Sequence, residues 1–311
     1  MAHADNETRA TARRHVPIIG AVLAALAVTL VATVAAAGAA TPTPRWIVFS
    51  ATPPGIPSNQ LFRIQTSGKG LQQITTGAIP STAPAFSPDG KRIAFVRTGA
   101  GIFLIDANGT GVRRITDNGR DAFPTWSPDG KQIAYLRVVG SDWTVWVMSS
   151  SGAGQHRLAK APSAGRPTWT KSGLLLSTGG DMTRIDPATG KVLGYLNVDI
   201  DASFGLMTAA ASPDASTVAF VGSRRADDGD MDCGDGPCQR YALYVVAAGK
   251  GTPRLLVRDT GPAAFSPDGK TLAFHAKDGL TLWTLADGSS RTVRTGNAYM
   301  TLAAAPAWQP R

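Results

Sequence analysis

Apolar residues in this chain come in short runs, and the runs recur. Arg92-Ile93-Ala94-Phe95-Val96 is almost continuously apolar and is bounded by turn residues. A run of that length reads as a strand buried on both faces. Just before it stands Ser87-Pro88-Asp89-Gly90. Pro88 presets φ for the second position of a type I turn, Asp89 suits the third, and Gly90 accepts the positive φ that follows. The small residues Ala83-Pro84-Ala85-Phe86 ahead of the turn form a second extended piece, so the unit is a β-hairpin.

The same ten-residue pattern appears as FSPDGKRIAF from Phe86, WSPDGKQIAY from Trp126 and FSPDGKTLAF from Phe265. Degenerate copies begin at Trp169, Ala211 and Trp308, which gives steps of 40, 43, 42, 54 and 43 residues. Between these copies lies a second repeated element, an apolar run, a Gly-containing turn and a shorter run. Examples are IFLIDANGTGVRRIT from Ile102, VWVMSSSGAGQHRLA from Val145 and LFRIQTSGKGLQQIT from Leu61. Asn-Gly and Ser-Gly between alternating apolar residues are hairpin signals. Each period therefore carries four strands, A to D, and a four-stranded period of about 40–45 residues is that of a propeller blade.

The ends of the repeat array complement each other. The last copy, Ala305-Pro306-Ala307-Trp308, supplies a strand A with no room for B, C and D, whereas the first, Trp46-Ile47-Val48-Phe49, starts at strand B. Joining them completes a sixth blade and removes a free sheet edge. The expectation is an all-β, six-bladed propeller over residues 45–311.

The pattern P-x-[FW]-S-P-D-G-x-x-[IL]-A-[FY], carried by Pro84 to Phe95 with Arg114-Ile115-Thr116 and again by Pro124 to Tyr135, resembles the TolB-like, WD-like propeller repeat. The resemblance covers the chain after residue 45. It implies a periplasmic or outer-surface interaction role, although one fold of this kind serves many functions.

Residues 1–15 form a basic leader with Arg9, Arg13 and Arg14, followed by an apolar stretch over 16–40. Val16 to Val34 carries no charge and is long enough to span a bilayer as a helix. Arginines ahead of it place the propeller outside the cytoplasm. The alternative is a cleaved signal peptide, for which Ala37-Gly38-Ala39 offers a small-residue site. Arg13-Arg14 suggests a twin-arginine signal, but His15-Val16-Pro17 fits that motif poorly. The net charge of +9 suits either plain solubility or an anionic neighbour such as a wall polymer. No nucleic-acid motif is present, and a monomer is expected.

The 54-residue step is longer than its neighbours because of RRADDGDMDCGDGPCQR, Arg224 to Arg240. Cys233 and Cys238 are the two cysteines of the chain. In an exported domain they are expected to pair as a disulfide, since no histidine lies near enough for a metal knuckle. Asp228, Asp230 and Asp232 begin like a calcium loop, but Cys233 stands where that loop needs Gly and Gln239 where it needs Glu. A solvated acidic loop is the plainer reading, with weak calcium binding as the alternative.

Motif chemistry is otherwise sparse. There is no G-x-S-x-G elbow and no P-loop. Asp89, Asp129, Asp214 and Asp268 recur because the turns need them, and His156 and His275 read as surface or edge histidines. The A–B and C–D turns are short and uniform and share one face of the disc. The B–C loops and D–A connections vary and share the other, and variation on one face of a repeat protein marks its binding face. Arg97, Arg137, Trp143, Arg224 and Arg225 are the candidate binding residues there. The expected function is a non-enzymatic binding scaffold of the cell envelope, without a cofactor, that holds an envelope protein or an anionic wall polymer. The alternative is a propeller enzyme, a polysaccharide lyase or hydrolase, with its site at the channel mouth.

Overall fold

The chain divides into two compact units, Met1–Pro42 and Thr43–Arg311. The computed structural model describes residues 45–310 apart from 162–164, 178–181, 197–203, 226–238, 249, 277–278, 294, 296–298 and 301–304. The leader and the apolar stretch over 16–40 lie outside the described residues. Among the described residues no helix is long and apolar enough to cross a membrane.

Six antiparallel sheets make up the second unit. Blade 1 runs through Ser81–Phe86, Arg92–Arg97, Gly101–Asp106 and Arg113–Arg114 as strands A to D. Blades 2, 3, 4 and 5 repeat this order with inner strands Asp121–Trp126, Thr168–Thr170, Phe204–Ala211 and Ala263–Phe265. Blade 6 joins the two ends of the array. Strand B, Trp46–Thr52, pairs outward with Gln60–Gln65 and inward with two short segments from the far end. Ile47 faces Trp308, Val48 faces Ala307 and Ala51 faces Met300. The closure expected from the complementary half-repeats is present.

The doubly apolar B strands are explained by the seams between blades. In blade 1, Ile93 and Phe95 pack toward blade 6 with Val48, Leu61 and Ile74, while Ala94 and Val96 pack toward blade 2 with Ile133 and Tyr135. Each of the six seams holds one such cluster. The aromatic residue ending strand A also reaches sideways. Trp126 Nε1 donates to the Ala85 carbonyl of blade 1 at 3.1 Å, and Trp308 Nε1 to the Ala264 carbonyl of blade 5 at 3.0 Å. Each indole thus ties one inner strand to the one before it.

Two inner strands are kinked. Ala83 (φ 50°) and Phe123 (φ 52°) take left-handed backbone conformations where the A–B register shifts in blades 1 and 2. The bulge at Ala83 removes Pro84 from the ladder, which leaves its carbonyl free for another donor. At the A–B turn of blade 4, Ala215 (φ 58°) stands where Gly90, Gly130 and Gly269 carry the same conformation without a Cβ.

One histidine departs from the expectation. His275 is fully buried, not an edge residue, because it belongs to a B strand covered on both sides. Its ring meets Phe49 edge-on across the seam between blades 5 and 6, with centroids 6.2 Å apart. Neither ring nitrogen has a hydrogen-bond partner. His156 is exposed, with Nδ1 3.0 Å from the Gly154 carbonyl.

Candidate functional site

The uniform face is built from one device. Ser87 Oγ donates to Asp89 Oδ1 at 2.5 Å and accepts from the Arg92 amide at 2.9 Å, while the Lys91 amide donates to the same carboxylate oxygen at 3.1 Å. Ser127–Asp129, Ser212–Asp214 and Ser266–Asp268 repeat the serine–carboxylate bond at 2.6, 2.5 and 2.6 Å. The serine hydroxyl is the largest cause holding the Asp89, Asp129 and Asp214 carboxyls below their ordinary range. These four aspartates are occupied in bracing turns.

The irregular face is individual. Between blades 1 and 2 it opens into a cleft of about 420 Å³. Thr98 and Gly99 of one B–C turn form one side, Gly119 and Arg120 of the D–A connection another, and Val138 and Trp143 a third, with Phe123 below. Trp143 is half-buried, packs against the seam between blades 2 and 3, and keeps part of its ring toward the cleft. Val139 beside it is half exposed at the tip of the same hairpin, and Arg120 is exposed with no ion pair among the described residues.

Two of the candidate arginines, Arg97 and Arg137, are partly engaged inside the protein. Arg137 makes a two-pronged pair with Asp121, Nε to Oδ1 at 2.6 Å and Nη2 to Oδ2 at 2.8 Å. Its Nη2 also donates to Gln155 Oε1 at 3.0 Å, and its guanidinium lies 4.3 Å from the centroid of the Trp146 ring. The hydrogen bonds to buried Asp121 are the main reason its pKa is raised. Arg97 lies 5.0 Å from the Phe103 ring centroid and 5.9 Å from that of Phe95, and its Nε is buried without a hydrogen-bond partner. Arg97 and Arg137 therefore support the cleft more than they present charge from it.

Arg224 and Arg225 belong to strand B of blade 4, Thr217–Arg225, and pair in register with Arg240 and Gln239 of strand C. The insertion is correspondingly shorter than the sequence suggested, because the ladder absorbs two residues from each end. Asp228, Asp230, Asp232, Cys233 and Cys238 lie outside the described residues. Among those described, no cluster of three or more His, Cys, Asp or Glu side chains has metal-site geometry.

The inner strands of all six blades surround a central channel with a cavity of about 270 Å³. Its wall is mostly small: Ala85, Thr125, Thr168, Ala210, Ala264 and Ala307. Phe123 lines both channel and cleft, so its ring forms the wall between them. Arg166 is the single charged residue of the described lining. It stands at the start of the inner strand of blade 3, where the other repeats place Ala83, Phe123, Thr208, Pro262 and Ala305. Aligning the repeats would have found it; searching for local motifs did not.

The family whose sequence pattern matches is the TolB beta propeller domain, PD40, over residues 24–177. No curated protein matches significantly. Among solved structures, TolB from Acinetobacter baumannii is similar with a TM-score of 0.63 and 22% identity over 86% of this chain and 67% of that one. A TolB-assigned protein from Agrobacterium tumefaciens gives a TM-score of 0.53 and 14% identity over 84% of this chain and 92% of that one. An oligogalacturonate lyase in complex with manganese gives a TM-score of 0.50 and 11% identity over 76% of this chain and 71% of that one. At these identities the likeness is one of fold.

Proposed function

We propose that this chain, a TolB-like six-bladed β-propeller, works outside the cytoplasm as a non-enzymatic binding scaffold that holds an envelope protein through its irregular face. The cleft between blades 1 and 2 carries this reading. It joins an apolar lining, Phe123 with Trp143 and Val138, to an exposed cation, Arg120, that has no ion pair among the described residues. A largely apolar concavity with a few polar groups at its edge is the usual form of a recognition site. The groups beneath it are fixed: Arg137 is held by Asp121 and Gln155, so little ordering cost falls on binding. The apolar stretch over 16–40 supplies the route out of the cytoplasm, as an anchor or as a cleaved signal.

The described wall of the central channel offers one arginine among alanines, threonines and prolines. The competing reading, a polysaccharide lyase, takes its motivation from the fold shared with the lyase structure. Weak calcium binding by Asp228, Asp230 and Asp232 is a separate proposal that rests on sequence, and a calorimetric titration without heat would remove it.

The test is capture from envelope extract with the immobilised 45–311 propeller, run beside incubation of the same protein with oligogalacturonate and other wall polysaccharides. A reproducibly captured envelope protein and no turnover is the expected result. Release of unsaturated or hydrolysed sugar by the purified propeller would establish the enzyme reading instead.

A further inference from the structure

We infer that the central channel is a binding site for a small monocarboxylate, held by the guanidinium of Arg166. This inference is independent of the role of the irregular face.

Three observations carry it. The first is charge without a counter-charge. Arg166 is half-buried in the lining of the channel, and among the described residues no carboxylate pairs with it. Its one hydrogen bond among the described residues runs from Nη2 to the Pro84 carbonyl at 3.0 Å. That acceptor belongs to blade 1, so the side chain spans the lumen past blade 2. The bond exists because the Ala83 bulge frees the Pro84 carbonyl. A guanidinium presents five N–H donors in a planar fork suited to a carboxylate, and one carbonyl leaves most of them unused. A partly desolvated cation held by one carbonyl gains when an anion joins it. Burial has already pushed its pKa down to about 10, which still leaves it charged at neutral pH.

The second is an orphaned neighbour. Thr208 occupies the same repeat position in blade 4 and lines the same cavity, and its Oγ1 is buried with no hydrogen-bond partner. A hydroxyl in this cavity is a donor that an oxyanion held there can use.

The third is the wall. Apart from Arg166, the lining is dominated by Ala, Thr, Pro and aromatic residues, and the cavity is about 270 Å³. That is slightly below the range of about 300–1,000 Å³ that holds drug-sized ligands. The chemistry is therefore one carboxylate on a compact apolar body, such as a short-chain or aromatic acid. A multiply charged oxyanion would leave most of its oxygens against alanine methyls.

The experiment is calorimetric titration of the 45–311 propeller, whose six sheets draw on no described residue before Trp46, with butyrate, benzoate and inorganic phosphate separately. Saturable heat is expected with butyrate or benzoate and at least tenfold weaker binding with phosphate. Arg166→Met should weaken carboxylate binding by tenfold or more, with Arg166→Lys between the two. Should Arg166→Met fail to fold, Ala264→Leu serves instead: it fills the lumen away from Arg166 and should abolish the heat. No saturable heat with either acid, phosphate binding as tight as the acids, or undiminished binding in a folded Arg166→Met or Ala264→Leu variant would overturn the assignment.

Discussion

At the scale of single residues, the informative positions are those where the repeat tolerates an unfavourable group. His275 places two unpaired ring nitrogens in an apolar seam, and burial pushes its pKa down from 6.5 to about 4. The unfolded chain takes up a proton near pH 6.5 that the folded chain refuses until about pH 4. Folding stability is thus complete above the upper value and is lost as pH falls through that window, by roughly 3 kcal/mol in total. Replacing the ring by an apolar side chain removes both the orphaned nitrogens and this proton. His275→Leu should be at least as stable as the natural protein at pH 7 and should lose much less stability between pH 6.5 and 4 in denaturant titrations. An unchanged pH dependence would mean that another group carries it. The burial of this residue was present in the sequence. Phe274-His275 continues a B strand whose counterparts, Phe95-Val96 and Tyr135-Leu136, are buried on both faces. The register of the B strand places this polar residue in the core, which its residue type alone does not signal.

At the scale of elements, turn chemistry and the four-strand period were legible, because Ser-Pro-Asp-Gly and Asn-Gly encode their conformations locally. Ser87 with Asp89, and its three repeats, form the braces that those letters imply. The inner strands were less legible. The bulges at Ala83 and Phe123 each stand directly before a proline, Pro84 and Pro124, which a strand tolerates at a bulge, but the positive φ of Ala83 and Phe123 has no such local signal. The candidate site divides along the same line. Trp143, a large aromatic at a loop mouth, lines the cleft. Arg137 was assigned to a surface although Asp121, 16 positions away, pairs with it. Arg120, Phe123 and Arg166 became visible once blades 1, 2 and 3 were set side by side.

The element with the largest leverage is the closing strand. Ile47 pairs with Trp308 and Val48 with Ala307, the Trp46 amide donates to Gln309 Oε1 at 3.3 Å, and Gln309 Nε2 donates to the Gly90 carbonyl of blade 1 at 3.0 Å. Gln309 therefore fastens the seam on its second side as well. Removing residues 303–311 should lower the melting temperature of the whole propeller in one transition, because the exposed edge of Trp46–Thr52 opens the ring at two seams. A truncated protein that melts as the intact one does would show that the end strands merely decorate an already stable array.

At the scale of the whole molecule, the disc has two unlike faces and a channel between them. One face is made of repeated turns braced by serine–aspartate hydrogen bonds. The other carries a cleft, an exposed Val139 and Arg120, which has no ion pair among the described residues. The account rests on that asymmetry, and one comparison tests it most directly. Three forms of the 45–311 propeller are used to capture from the same envelope extract: the natural sequence, a cleft variant with Arg120→Glu and Trp143→Ser, and a control with Lys131→Glu on the uniform face. Circular dichroism and melting establish beforehand that all three are folded. The account predicts that the natural form and the Lys131→Glu control retain the same envelope protein, whereas the cleft variant loses at least nine-tenths of it, or about 1.4 kcal/mol of binding. Equal capture by the folded cleft variant, or loss confined to the Lys131→Glu control, would contradict it.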